Sequence, residues 1–362
     1  MSLLRRFCIL ILLLSSSPSW AISVLFINPG KQSETFWLSV SQAMAAAAQN
    51  LGMEFRVVYA DRDHLRMPSL LQKTLAEGPK PDYLIVVNER QMAPPLLAIA
   101  EQAQIPTLLT LNDLTPEQMK QFGPPRSHFK YWIGSLYPDN QQAGYLTGKA
   151  LLTRLVQTQK PAANGFYQLV AIAGDKSTPA SQARVQGLQK ALQEFPKVQL
   201  KQIVYGNWGR GLAAEQMNVL SDRYPQAAAV WCASDLMAFG VISSLEQRKG
   251  PHKEVLVSAI NYSNDAVMMV KNGRLTTLSA GHFMVGAWSM VLLYDYAHGR
   301  DFIGQGTQMQ LPLFGLVSPS NAHLFLDRFS PHGVKKIHFS SYSKTLNPKV
   351  KQYDFSLESL LQ

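Results

Sequence analysis

The sequence predicts an α/β fold built twice, as two doubly wound parallel-sheet lobes joined by a hinge. Three observations carry this. Short, continuous apolar runs alternate with amphipathic stretches of helical spacing, the pattern of parallel strands covered on both faces by helices. The alternation runs through four strands, pauses, and starts again. The chain has 362 residues, whereas one hydrophobic core rarely serves more than about 250–300.

In order, Ile22 to Asn28 (ISVLFIN) is an apolar run stopped by Pro29-Gly30, a strand and its turn. Phe36, Val40, Met44 and Ala47 mark one face of a helix from Phe36 to Leu51, closed by Gly52. Phe55–Tyr59 is the second strand, Leu70–Glu77 a helix, Tyr83–Val87 the third strand, Leu96–Gln104 a helix and Pro106–Leu111 the fourth strand. Tyr131 to Asn140 (YWIGSLYPDN) reads as the crossover, and Gln141–Thr158 as the first helix of the second half. That half continues with strands at Leu169–Ala173, Gln199–Val204, Ala228–Cys232 and Val255–Ile260. Helices at Ala180–Glu194, Gly211–Arg223 and Met237–Gln247 separate them. One more strand follows Leu275, then a long helix from Val285 to His298. Beyond Gln310 the apolar runs are short and have no period.

Composition narrows the function. Hydrophobic residues make up 46% and charged residues 16% of the chain, which excludes whole-chain disorder. Arg5-Arg6, the apolar run Phe7–Leu14 and the small-x-small ending Ser19-Trp20-Ala21 form an export signal over residues 1–21. The run is too short for a hydrocarbon core that needs about 20 residues, and Cys8 lies inside it rather than after a cleavage point, so neither a membrane span nor a lipid anchor is expected. Cleavage near Ala21 would leave an exported protein of formal charge +8, down from +10, with Cys232 as its single cysteine and hence no internal disulfide. Lys and Arg are scattered, with no run longer than a pair, so nucleic acid is not an expected partner.

Motifs of zinc hydrolysis, dithiol redox, serine hydrolysis and phosphate-loop chemistry are all missing, and no cofactor is called for. Chemistry gathers instead at the predicted carboxyl ends of strands, where open parallel sheets bind ligands. Phe36-Trp37 opens a helix, and adjacent helical side chains diverge by about 100°, so one of the pair is free to face a cleft. Asn112 and Asp113 follow the fourth strand. Arg184 sits on the first turns of a helix, with five donors that suit hydroxyls or carboxylates. Trp208 lies in a polar loop, while Ser234-Asp235 and Asn261 directly follow strands.

This arrangement resembles the type I periplasmic solute-binding proteins of the ribose and galactose group over nearly the whole chain after the export signal. Phe36-Trp37, the Ile105-Pro106 strand ending in Asn112-Asp113, Arg184 three residues before Gly187, Trp208, WCASDLMAFGV and VKNGRLTTLSA match that family in order. PGKQSETFW, with Gln32, Glu34 and Trp37, together with NDLTP, Arg184 and Asp235, is most similar to the autoinducer-2 receptor branch. Two positions depart from that branch: Ile260 beside Asn261 stands in place of a pocket tryptophan, and Gly281 beside His282 in place of a second arginine. Against the sugar binders, Asn112-Asp113 replaces an Asp-Arg pair.

The resemblance implies an N-terminal lobe of residues 22–134 plus 281–310, a C-terminal lobe of 135–280 plus 311–345, and a tail, 346–362. Crossovers are expected near Gly134-Ser135, Ala280-Gly281 and Gln310-Leu311. It further implies that a small polyhydroxylated solute binds between the lobes through Gln32, Glu34, Phe36, Trp37, Asn112, Asp113, Arg184, Trp208, Ser234, Asp235, Asn261 and His282, and passes to the permease of an ABC importer. A membrane sensor protein is the alternative partner. A secreted carbohydrate-active enzyme would need two carboxylates about 5–9.5 Å apart, for which Asp113 and Asp235 are the available pair. A repressor of related fold would need a helix-turn-helix where the export signal stands.

Overall fold

The computed structural model describes residues 21–248 and 254–361. The export signal read over residues 1–21 lies, except for Ala21, outside the described residues. The first half runs β1 (Ser23–Asn28), α1 (Thr35–Leu51), β2 (Glu54–Tyr59), α2 (Met67–Glu77), β3 (Tyr83–Val86), α3 (Ala93–Ala103), β4 (Thr107–Thr110), α4 (Pro116–Phe122) and β5 (Trp132–Pro138). The second runs α5 (Asn140–Thr158), β6 (Tyr167–Ala173), α6 (Pro179–Leu192), β7 (Val198–Tyr205), α7 (Arg210–Arg223), β8 (Ala227–Cys232), α8 (Asp235–Gln247), β9 (Leu256–Ile260), α9 (Asn264–Lys271) and β10 (Thr277–Ala280). Then follow α10 (Val285–Ala297), β11 (Gln308–Leu311), β12 (Gly315–Val317), α11 (Ala322–Arg328), α12 (Pro331–Lys335) and α13 (Leu357–Leu361).

Two six-stranded sheets result, ordered β11-β5-β4-β3-β1-β2 and β12-β10-β9-β8-β6-β7. The two orders are the same winding, so β1 corresponds to β6, β2 to β7 and β4 to β9. Every pairing is parallel except β10 with β12. Central strands are buried on both faces, as their unbroken apolar sequences require: Leu25, Phe26 and Ile27 of β1 and Leu169 to Ala173 of β6 have no exposed surface. Short polar side chains start the helices by accepting from orphan N–H groups: Asp139 from Gln142 N, Ser234 from Met237 N and Ser263 from Ala266 N.

Three expectations need correction. Tyr131–Asn140 is not all crossover: Trp132–Pro138 is β5, paired with β4 and β11 in the first sheet. Gly134 masked the strand signal, and Pro138 sits at its last position, beyond the residues paired with β4. The chain therefore passes between lobes at Pro138–Asn140 rather than Gly134-Ser135. Likewise β11 keeps residues 308–311 in the first sheet, which moves the third crossing past Leu311 to Pro312–Phe314. The second crossing, Ala280–His282, lies between β10 of the second sheet and α10, which packs on α1.

The segment after β12 is the third correction. It divides between the lobes: α11 packs on α9 of the second lobe, whereas α12 and the turn Phe339–Tyr342 pack on α1 of the first. Residues 346–361 are docked rather than loose. Asp295 of α10, fully buried, accepts from Lys344 N (2.6 Å), Thr345 N (3.0 Å), the Tyr353 hydroxyl (2.9 Å) and the Ser343 hydroxyl. Phe355 stacks on Trp288 of α10 with ring centroids 4.8 Å apart, and Leu357 N donates to Pro312 O at 3.2 Å, beside the third crossing. One buried carboxylate and one aromatic stack thus hold a stretch with no periodic pattern. Phe355→Ala is expected to lower the free energy of unfolding by about 3–5 kcal/mol in urea; a loss below about 1 kcal/mol would mean that the segment is not docked.

Candidate functional site

The carboxyl ends of the two sheets face one another, and the same backbone device aims side chains into the gap from each. After β2, Ala60, Asp61 and Arg62 bond back to Asn28, Gly30 and Pro29, and Asp61 and Arg62 take left-handed φ values of 55° and 69°. After β7, Gly206 and Asn207 bond back to Ala173 and Gly174, and Asn207 and Trp208 take φ values of 47° and 61°. Leu111 after β4 and Asn261 after β9 form a second matched pair, at φ 66° and 108°. Such backbone costs on the order of 1–3 kcal/mol per residue and persists where the surroundings over-determine it. Arg62, Leu111, Trp208 and Asn261 all line one cavity between the lobes.

The second-lobe wall is organised by Arg184. Helices α5 and α6 meet at Gly144 and Gly187, where an added methyl would fall 1.9 Å from Arg184 O and 2.0 Å from Gln141 O, so the contact is backbone to backbone. Arg184, buried by this approach, donates from Nε to Asn140 Oδ1 (2.9 Å) and from Nη1 to Ala233 O (2.7 Å) and Asn261 Oδ1 (3.4 Å). Its Nη2 lies 3.1 Å from His282 Nε2. Among the described residues no carboxylate touches it, and burial brings its pKa down to about 9 against the pull of Asp235. Asn261 links the two charges, donating to Asp235 Oδ1 at 3.1 Å. Burial and the neighbouring guanidinium hold His282 well below its usual pKa, as a neutral imidazole.

Trp208 stands over Gly174, where a methyl would come within 2.2 Å of its ring, and donates from Nε1 to Asp175 Oδ2 at 2.7 Å. Burial pushes Asp175 up, but hydrogen bonds from Thr178, Ser177 and Trp208 outweigh it and hold the carboxylate below its ordinary value. In the first lobe Phe36 and Trp37 both reach the cavity, because α1 points its first turn at the gap; the rings meet edge to face at 5.1 Å. Arg62 passes beside the Trp37 ring, its carbon 5.9 Å from the centroid, and bonds Glu34 (2.9 Å from Nε) and Glu89 (3.3 Å). Burial lifts Glu89 to about 7, against the pull of Arg62.

The lobes touch across the cleft. Asn112 Oδ1 accepts from Ala180 N (3.0 Å) in the first turn of α6, and Gln91 Nε2 donates to Ser177 O (3.4 Å). Of the residues named from sequence, Glu34, Phe36, Trp37, Asn112, Arg184, Trp208, Ser234, Asn261 and His282 line the cavity. Gln32 does not; it is exposed in the turn before α1. Asp113 faces a flanking cavity instead and accepts from Ser135 Oγ (2.7 Å), Leu114 N (2.8 Å) and Gln308 Nε2. Asp235 lies behind Asn261, its Oδ1 accepting from Asn261 Nδ2 and Leu236 N. Arg62, Glu89, Asn140 and Thr178 also line the cavity. The strand-end rule that found Trp208 would have found Arg62 and Glu89, had it been applied to the second and third strands.

Glu89 supplies a pH test. A carboxylate whose folded pKa exceeds its unfolded value of 4.5 leaves the fold unpenalised below that pH, and stability falls as pH rises from there through about 7. Glu89→Gln should remove up to about 3 kcal/mol of this decline relative to the parent in urea unfolding. Parallel parent and variant profiles between those two pH values would contradict the burial of an ionisable Glu89.

Residues 24–301 match the periplasmic binding protein domain. A crystal structure of a periplasmic sugar-binding protein from Pseudomonas fluorescens superposes with a TM-score of 0.83 at 38% identity, covering 94% of this chain and 100% of that one. The D-apiose import binding protein of Paraburkholderia graminis is 21% identical over 258 residues, 71% of this chain and 75% of that protein. The transcriptional repressor CytR of Escherichia coli K12 is 24% identical over 213 residues, 59% of this chain, and the match spans only 55% of the repressor's length. The domain match covers well over half of the sequence, and the chain belongs to the periplasmic binding protein family.

Proposed function

We propose that this protein binds a small polyhydroxylated solute, a sugar or sugar-like molecule, between its lobes in the periplasm and delivers it to an ABC-type importer. The observation that carries the reading is the cavity itself: aromatic rings from both lobes (Phe36, Trp37, Trp208) beside hydrogen-bonding groups from both lobes (Glu34, Asn112, Arg184, Asn261). Ring faces cover the apolar CH surfaces of a sugar, and the polar groups fix its hydroxyls. The names of the Pseudomonas fluorescens and Paraburkholderia graminis relatives, a sugar-binding protein and an import binding protein, support it.

Binding rather than catalysis is favoured by where the carboxylates lie. Neither Asp113 nor Asp235 lines the cavity, and Glu34 and Glu89, which do, share the one guanidinium of Arg62 on a single wall. They do not flank a bound ring from opposite sides, as glycoside hydrolysis requires. Closure about the three crossings buries the solute and alters the surface that a membrane partner reads.

A thermal-shift panel of pentoses, hexoses, polyols and autoinducer-type furanoses tests the reading, since a solute that binds only the folded form at about 100 times its Kd adds about 2.7 kcal/mol. At least one sugar should raise the melting temperature of the parent. Trp208→Ala and Arg184→Met should fold and lose that response. A panel without any response, or variants that respond like the parent, would contradict the assignment.

A further inference from the structure

Two buried donors at the cavity have no partner: Nε1 of Trp37 and Nδ1 of His282. The residues are 4% and 1% exposed. For His282 the position of the proton follows from geometry. Nη2 of Arg184 lies 3.1 Å from Nε2, and a guanidinium only donates, so Nε2 must accept with its lone pair. The ring proton is then on Nδ1. Arg184 cannot turn away to relax this, because Asn140, Ala233 O and Asn261 hold its other donors. Nor can the imidazole turn freely: it lies between Phe36 (4.9 Å, 20° between planes) and Phe314 (4.4 Å, 25°). The indole of Trp37 is fixed between Phe36 and Gly30, where a methyl would fall 1.9 Å from its ring.

In the closed arrangement these two donors have no protein acceptor. A buried donor left unpaired costs more than a made hydrogen bond contributes. The closed form gains only when a solute brings oxygen lone pairs to this wall.

We propose that His282, locked by Arg184 as the Nδ1–H tautomer, is a specificity-determining donor that acts with Trp37 Nε1–H to select sugars offering acceptor oxygens to this wall. The proposal rests on the sugar-binding reading for its ligand, but not for its tautomer. Analogues that replace the oxygen there by hydrogen, or by the ammonium of an aminosugar, are rejected, because each leaves a buried donor unsatisfied.

Nitrogen-15 NMR of the imidazoles in the ligand-free protein, assigned with His282→Phe, tests the tautomer. A neutral ring protonated at Nδ1 between about pH 5 and 8 is expected, with Arg184 the charged group in contact and Asp235 behind Asn261. An Nε2–H ring or an imidazolium would overturn the proposal. The second arm measures D-ribose, D-galactose and D-allose against their monodeoxy and amino derivatives by calorimetry. The parent should lose on the order of ten- to hundredfold in affinity for at least one deoxy position. His282→Phe, which keeps the ring stack, or Trp37→Phe should shrink that loss to less than about threefold. An equal deoxy penalty in parent and both variants would overturn the proposal. If none of the three sugars binds, the sugar-binding reading fails for them, and the tautomer in the free protein decides this inference alone.

Discussion

A guanidinium buried without a carboxylate in contact is the constraint from which the cleft is organised. Arg184 is a cation taken out of water, and the acceptors in contact with it are neutral groups drawn from four separate segments, with Asp235 acting from behind Asn261. Two of those acceptors stand at crossings between the lobes: Asn140 follows β5, and His282 follows β10. The others, Ala233 and Asn261, end strands of the second sheet. One side chain on α6 thus ties the cavity wall to two of the three connections between the lobes. Any solute that alters the hydrogen bonding of Arg184 acts at once on the hinge, which gives closure a differential interaction to respond to.

The two lobes complement this cation in different ways. The first lobe presents a carboxylate pair bridged by Arg62, acidic on balance and backed by Trp37. The second presents Arg184, with Trp208 steered by Asp175. Strained, non-glycine turns at equivalent strand ends place the side chains on each side. The duplicated winding thereby supplies a duplicated scaffold, and chemistry enters through different residues at matched positions, Arg62 against Trp208 and Leu111 against Asn261. A pseudo-symmetric frame carrying unlike walls suits an asymmetric solute with one orientation.

Much of this was legible in the sequence where periodicity is strong. Buried parallel strands such as Leu25–Ile27 and Leu169–Ala173 announce themselves as apolar runs, and ligand groups fall at their ends by topology. Arg184 and Trp208 were found that way. Pattern failed where tertiary contacts decide. Whether Asp113 faces the cavity or Gln308 and Ser135 depends on β11, a strand nearly 200 residues later in the chain. The docking of residues 343–361 rests on one buried aspartate and an aromatic stack, neither of which has a period to read. The tautomer of His282 follows from a neighbour 98 positions away in sequence.

The most direct test is a crystal structure of the protein grown with whichever panel sugar raises its melting temperature most. The sugar should lie between the lobes, within hydrogen-bond distance of Arg184 and with a CH face against Trp208. A sugar bound with full occupancy elsewhere, leaving the contacts of Arg184 to Asn140, Ala233, Asn261 and His282 unchanged and the cleft vacant, would contradict it.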